Sequence, residues 1–289
     1  MPDRPIFIST SCLAAPQLLE DRVSEFLEYG LTHIELGAGV FLGKSSLSWI
    51  KEQKCQFLIH NYFPPPSEPF VLNLASAKTD IRSQSINFVC ETLQLCAKIK
   101  ISFYSIHAGF ITDPTGFGAT GFNFPSPDSP DAPEQAMTHF LDSLVICATA
   151  AKRLGVSLLV ENNVCPQDLT GKLLLQCAGE FEELLRLLPA GLPIGILLDT
   201  GHLNVSARTF GFEVMDFVRA LGPWVKAIHV HENDGLADTH QPVREGSWIL
   251  ELLKMKQFEK VPVVLEARFD NVAGLSQHVA WLKEEVLKK

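Results

Sequence analysis

SLLVEN (157–162), GILLDT (195–200), VKAIHVH (225–231) and VPVVLEA (261–267) are apolar runs of strand length, and each places a carboxylate or imidazole at or near its C-terminal end. A longer segment of helical period follows each run, the pattern of parallel strands joined by crossover helices. The alternation continues towards the N-terminus with IFIST (6–10), HIELG (33–37), CQFLIH (55–60) and SFYSIH (102–107). The helical segments run over 16–29, 45–53, 79–99, 133–154, 173–188, 212–221, 247–257 and 275–287. Thr79 or Asp80 is placed to cap the third, and Pro133 sits in the first turn of the fourth with Asp131 just before it. Eight consecutive βα units close into a barrel, whereas an open doubly wound sheet would need a glycine-rich phosphate turn after an early strand, and none is present. The fold class expected is α/β, a single (β/α)8 TIM barrel in one domain spanning 1–289.

At 289 residues the chain suits one such barrel without a second domain. Its net charge of −9 disfavours nucleic acid as a partner, because the chain repels phosphate at long range. No apolar run approaches the length of a membrane helix, and MPDRPIFIST has no apolar core or cleavage pattern of a signal peptide. The seven cysteines are scattered and form no Cys-x-x-Cys pair, so they read as reduced core residues of a cytoplasmic protein. A homo-oligomer is left open.

Two connections, 61–78 after the third strand and 108–132 after the fourth, exceed the usual βα loop. In a barrel, loops that follow strands lie on the C-terminal face, where they wall the site or extend the surface. Tyr62, Phe63 and the loop that carries Phe110, Phe117, Phe122 and Phe124 are the expected walls.

His60, His107, Glu161, Asp199, His231 and Glu266 end strands three to eight and so converge on one mouth. Carboxylates and imidazoles beside an apolar core are costly unless paired or bound to metal, and crowded carboxylates repel unless a cation neutralises them. A mixed set of histidine and carboxylate suits Zn²⁺, Mn²⁺, Co²⁺ or Fe²⁺ better than Mg²⁺ or Ca²⁺. In DTGH, His202 can face back over the mouth, and Asp238 and His240 follow on the loop of HVHENDGLADTH. Glu161, Asp199, His231 and Glu266 form the stronger set, on four adjacent strand ends. His60, His107, His202, Asp238 and His240 fit metal, outer-sphere and substrate roles equally. His33, His139, His229 and His278 read as hydrogen-bonded core or loop residues, with His229 one layer below the mouth. Glu35 is either a further site residue or a structural ion-pair partner. Arg208, Arg244 and Arg268 follow strand-end motifs and can each receive a phosphate or carboxylate, or serve as surface charges.

With IHNYF and a following NLAS, IHAGF, VENN, LLDTGH, IHVHENDG with a following DTH, and LEARF in this order, the chain resembles the sugar phosphate isomerase/epimerase family of xylose-isomerase-like barrels. The resemblance implies that Glu161, Asp199, His231 and Glu266 hold one divalent metal and that Glu161 and Glu266 are the catalytic acid/base pair. It also implies a small polyhydroxylated substrate, a sugar, sugar phosphate or polyol ketone, oriented by His202 and Arg268. The same superfamily includes endonuclease IV, and His60, His107, Glu161, Asp199, His202, His231, Asp238, His240 and Glu266 match its set of zinc ligands. The alternatives are therefore a multinuclear zinc phosphoesterase and a non-catalytic metal- or sugar-binding barrel. The chain departs from the isomerase pattern at His107-Ala108-Gly109, where histidine-proline-glycine is common, and at Arg244-Glu245-Gly246, where glycine-glutamate-glycine is common.

Overall fold

A computed structural model describes residues 4–44, 46–66, 68, 70–118 and 121–287. Ser45, where the second expected helix begins, and Ser67, Pro69, Ala119 and Thr120 of the two long loops lie outside the described residues. Eight parallel strands close into a barrel: β1 Ile6–Ser9, β2 His33–Leu36, β3 Gln56–His60, β4 Phe103–His107, β5 Ser157–Glu161, β6 Ile194–Asp199, β7 Val225–Val230 and β8 Val263–Leu265. Each pairs with the strand before and after it in sequence, and β8 closes on β1. Among the described residues no helix is long and apolar enough to cross a membrane. All seven cysteines are free.

Phe7, Leu58, Phe103, Leu159, Leu197, Ala227 and Val264 point inwards from seven strands and pack into an apolar plug separate from the larger core under the helices. Side chains on a strand alternate, so the residues two further on share the same inward face. From Leu58, Leu159, Leu197, Ala227 and Val264 this step reaches His60, Glu161, Asp199, His229 and Glu266. The plug is therefore the floor of a polar layer.

The helix expected at 212–221 is Val214–Leu221, but a further helix, Thr200–Phe210, precedes it and starts directly at the end of β6. Asp199 is its N-cap, with Oδ1 accepting from the His202 backbone N–H at 2.7 Å. The segment expected as helix over 173–188 begins only at Ala178, because Leu173 and Leu174 are tied instead to Phe110 and Gly109. Thr79 and Asp80 lie in the first turn of Thr79–Ile99, and the capping position before them is Lys78 without a side-chain bond.

Asn73 fastens the two long loops together. Its amide donates to the Phe110 carbonyl (3.1 Å) and to Asp113 (2.9 Å), while its Oδ1 accepts from the Phe110 N–H (3.0 Å). Gly109 is held against Ala75 so closely that an added Cβ would fall 2.6 Å from the alanine methyl.

Candidate metal centre

The mouth is a cavity of about 280 Å³ lined by Ser11, Ala38, His60, Asn61, Tyr62, His107, His202, Asp238, His240, Glu266 and Arg268. Phe63 is fully buried in the core rather than a wall. Phe110, Phe122 and Phe124 pack on one another, Phe110 buried and the other two half-buried, and do not line the cavity. Arg268 is the arginine at the mouth. Arg244 pairs with Glu232 at 2.9 Å, and Arg208 donates to the Asp234 carbonyl.

Several overlapping groups of ligand atoms lie close enough to hold an ion. Three of them, with His202 beside the third, take in every expected ligand. In the first, His60 Nε2 and His107 Nε2 stand 3.2 Å apart, and they lie 3.4 and 3.3 Å from Glu161 Oε2. A tetrahedral zinc shell with bonds of about 2.1 Å would have edges of about 3.4 Å, so these three atoms are spaced as ligands of one such ion would be.

The central group is Glu161, Asp199, His229 and Glu266. His229 Nδ1 lies 2.9 Å from Glu266, 3.6 Å from Glu161 and 3.7 Å from Asp199. The imidazole that lies among the three expected carboxylates is thus His229, where His231 is expected; His229 is a buried, hydrogen-bonded residue as expected, and its Nδ1 also faces this group. The cause is a register shift between Ile196 and Leu197: Ile196 pairs with Val225 but Leu197 with Ala227, so Asp199 lies beside His229. His231 stands one inward step higher and reaches the third group, with Asp238 and His240. Asp238 Oδ2 lies 3.0 Å from His240 Nε2 and 3.4 Å from His202 Nε2.

Five of these histidines have one ring nitrogen engaged away from the cavity. His60 Nδ1 meets Ser105 Oγ (3.0 Å), His202 Nδ1 the Asn162 carbonyl (2.9 Å), His229 Nε2 Glu35 (3.1 Å), His231 Nε2 Asp199 (3.1 Å) and His240 Nδ1 the Glu266 carbonyl (2.9 Å). That leaves His60 Nε2, His202 Nε2, His229 Nδ1, His231 Nδ1 and His240 Nε2 directed at the ligand groups, the arrangement that orients metal-binding imidazoles. Glu35 is therefore the partner of His229 and wholly buried.

Divalent cations fit this donor set. Both oxygens of Glu161, Nδ1 of His229 and His231, and Oδ1 of Asp238 are buried without a hydrogen-bond partner. Leaving such atoms unpaired costs about 1–3 kcal/mol each, a cost that a shared cation removes. Burial pushes the Glu161 carboxyl well above the usual carboxylate range. Burial acts on Glu266 in the same sense, but the adjoining His229 overrides it and holds that carboxyl low. Burial also opposes protonation of His202 and His229, and the carboxylates around them prevail, raising both. His60 and His107 behave oppositely: burial and the neighbouring imidazoles hold both below the usual histidine range, so that side of the mouth keeps its imidazoles neutral.

A closed parallel barrel whose strand ends bring histidines and carboxylates into groups close enough to hold an ion is the architecture that fold and mouth define. The chain belongs to the xylose isomerase-like TIM barrel family, whose model matches residues 28–285. It is similar to a probable endonuclease 4 of Aquifex aeolicus (strain VF5), with 25% identity over 224 residues, 70% of each chain. Among solved structures it resembles a D-tagatose 3-epimerase-like protein at 16% identity and a TM-score of 0.74, covering 98% of this chain and 97% of that one. Endonuclease IV from Thermus thermophilus is similar at 18% identity and a TM-score of 0.58, covering 97% and 99%. At these identities the solved structures establish the shared fold.

Proposed function

We propose that this protein is a multinuclear metal-dependent hydrolase of small phosphate esters. The observation that carries the reading is the division of the mouth into adjoining ligand groups, two of which share Glu161. A single-cation isomerase needs only the central group as ligands, and it leaves the His60–His107 pair and the Asp238–His240 pair to substrate or outer-sphere roles. Bound divalent cations supply Lewis acidity and bring the pKa of coordinated water towards neutrality.

The chain's own side chains do the rest. Glu161 faces His60 and His107 through Oε2 and His229 and His202 through Oε1, so one carboxylate spans two groups. Ser11 donates to Glu266 at 3.3 Å and fixes its orientation. Arg268 brings a guanidinium to the mouth, where its planar fork matches two oxygens of a phosphate. A cavity of about 280 Å³ on a chain of net charge −9 suits a small ester rather than a duplex.

The test is hydrolysis of bis(p-nitrophenyl) phosphate and a panel of small phosphomonoesters and diesters by protein loaded with Zn²⁺ or Mn²⁺. Release of p-nitrophenolate that a chelator abolishes and metal restores is expected. No turnover across the panel contradicts the proposal.

One observation favours a second reading, a sugar, sugar phosphate or polyol ketone isomerase or epimerase. The central group by itself holds two glutamates, Glu161 and Glu266, on one imidazole, a pair able to remove and return a proton. Under that reading a metal-dependent exchange of substrate protons with D₂O, or isomerised product, appears with ketoses or their phosphates while phosphoesters stay intact.

A further inference from the structure

Asn61 follows the last residue of β3 and lines the mouth, and its backbone is left-handed, with φ 44°. Residues other than glycine adopt that region rarely, asparagine more readily than most, and such positions cluster where ligands are held. The neighbouring strand pins it there. Its N–H donates to the Ser105 carbonyl at 2.8 Å and its carbonyl accepts from the Tyr104 hydroxyl at 2.7 Å, both on β4, where Ser105 Oγ also meets His60 Nδ1. A turn of this shape needs no more than glycine. The carboxamide that asparagine adds there does nothing for the turn: among the described residues its Oδ1 is buried and has no hydrogen-bond partner. The two hydroxyl side chains at the mouth are engaged by comparison. Ser11 Oγ meets Ser9 Oγ at 2.8 Å and Glu266 at 3.3 Å, and the Tyr62 oxygen accepts from the Leu72 N–H at 2.5 Å.

A buried acceptor on the wall of a ligand cavity calls for a donor from the ligand. A fully ionised phosphate group carries none, and neither does a plain alkyl or aryl ester group, whereas an alcohol hydroxyl does. We infer that Asn61 Oδ1 accepts from a hydroxyl on the alcohol part of the substrate, so that the site selects phosphate esters of polyols over alkyl and aryl phosphates. Arg268 suits the phosphate, and Asn61 meets the alcohol within the same cavity of about 280 Å³. Because both backbone groups of Asn61 are bonded to β4, the carboxamide is presented in a fixed direction and little ordering is left to the moment of binding. An ester without the hydroxyl keeps that acceptor buried and unpaired, which is how a site built for a hydroxyl rejects the analogue lacking it. This inference rests on the reading of the mouth as a phosphate ester site and names the kind of ester.

Titration calorimetry of Zn²⁺-loaded protein with 3,4-dihydroxybutyl phosphonate and with butyl phosphonate tests it. The two differ only in the hydroxyls, and their C–P bond is not hydrolysed, so binding is read apart from turnover. The wild type should bind the diol at least about tenfold more tightly. Asn61→Gly, which suits the left-handed backbone, should bring that ratio to about one, with metal content reporting that the variant is folded. Asn61→Asp keeps an acceptor and loses the amide donor. Its charge should weaken both ligands, but the preference for the diol should survive. A merely structural role would alter both ligands alike and leave the ratio as it is. Equal binding of the two by the wild type, a ratio that persists in Asn61→Gly, or one that is lost in Asn61→Asp overturns the assignment of Asn61 and leaves the phosphoester panel untouched. If neither phosphonate binds, the phosphate ester reading falls with it.

Discussion

Leu159 and Glu161, Leu197 and Asp199, Ala227 and His229, and Val264 and Glu266 are neighbours on the inward face of four strands, yet they meet opposite environments. In the lower layer the side chains are apolar and pack on one another. In the upper layer, one strand step of about 6.6 Å away, carboxylates and imidazoles crowd together and several of their atoms lack partners. The lower layer contributes stability through burial and close packing. The upper layer costs stability in the cation-free protein, because it desolvates like charges side by side. The same strands therefore serve as scaffold at one level and as chemistry at the next, and the two should fail in different ways when altered.

The largest separation is expected at β5. Glu161→Ala removes the carboxylate common to two groups, so metal content should fall by at least one equivalent and turnover by about 10³-fold or more, read by elemental analysis and steady-state kinetics. Leu159→Ala, two residues below, should cost about 2–5 kcal/mol in denaturant unfolding while metal content stays the same. If both substitutions deplete metal equally, the division into two layers does not hold. A smaller effect is expected at Glu35, which touches only the far nitrogen of His229. Glu35→Gln should weaken the central cation by about 10–100-fold in competition with a chelator, leaving the number of sites unchanged. The smallest change is expected at the rim, where Arg268→Ala should raise KM about tenfold with little effect on kcat if, as proposed, its guanidinium orients substrate.

Much of this plan can be read from strand periodicity alone. Eight apolar runs predict eight strands, and the strand-end positions of His60, Glu161, Asp199 and Glu266 predict their convergence. The histidine of the central group could not be chosen in the same way. HVH offers two inward-facing imidazoles, and the choice depends on an extra residue in β7 that shifts its register against β6. Counting two residues on from Ala227, in line with Leu159 to Glu161, is the signal that would have favoured His229. The helix Thr200–Phe210 was hidden by Gly201 and by β-branched Val205, residues that weaken helical propensity. Here the carboxylate of Asp199 caps the first turn and packing supplies the rest. Phe63 and the phenylalanines of the loop at 108–132 look alike as candidate walls. Only the folded loops separate Phe63, in the core, from Phe110, Phe122 and Phe124, which pack on one another away from the cavity, because nothing in a Phe-rich stretch specifies which way its rings turn.

The most direct measurement is the number of divalent ions that each chain retains after equilibrium dialysis with Zn²⁺ against trace-metal-free buffer. The adjoining ligand groups predict three per chain, falling by one or more in Glu161→Ala. A single ion per chain in the wild type, bound at the central carboxylates, would contradict a multinuclear centre and leave the isomerase reading in its place.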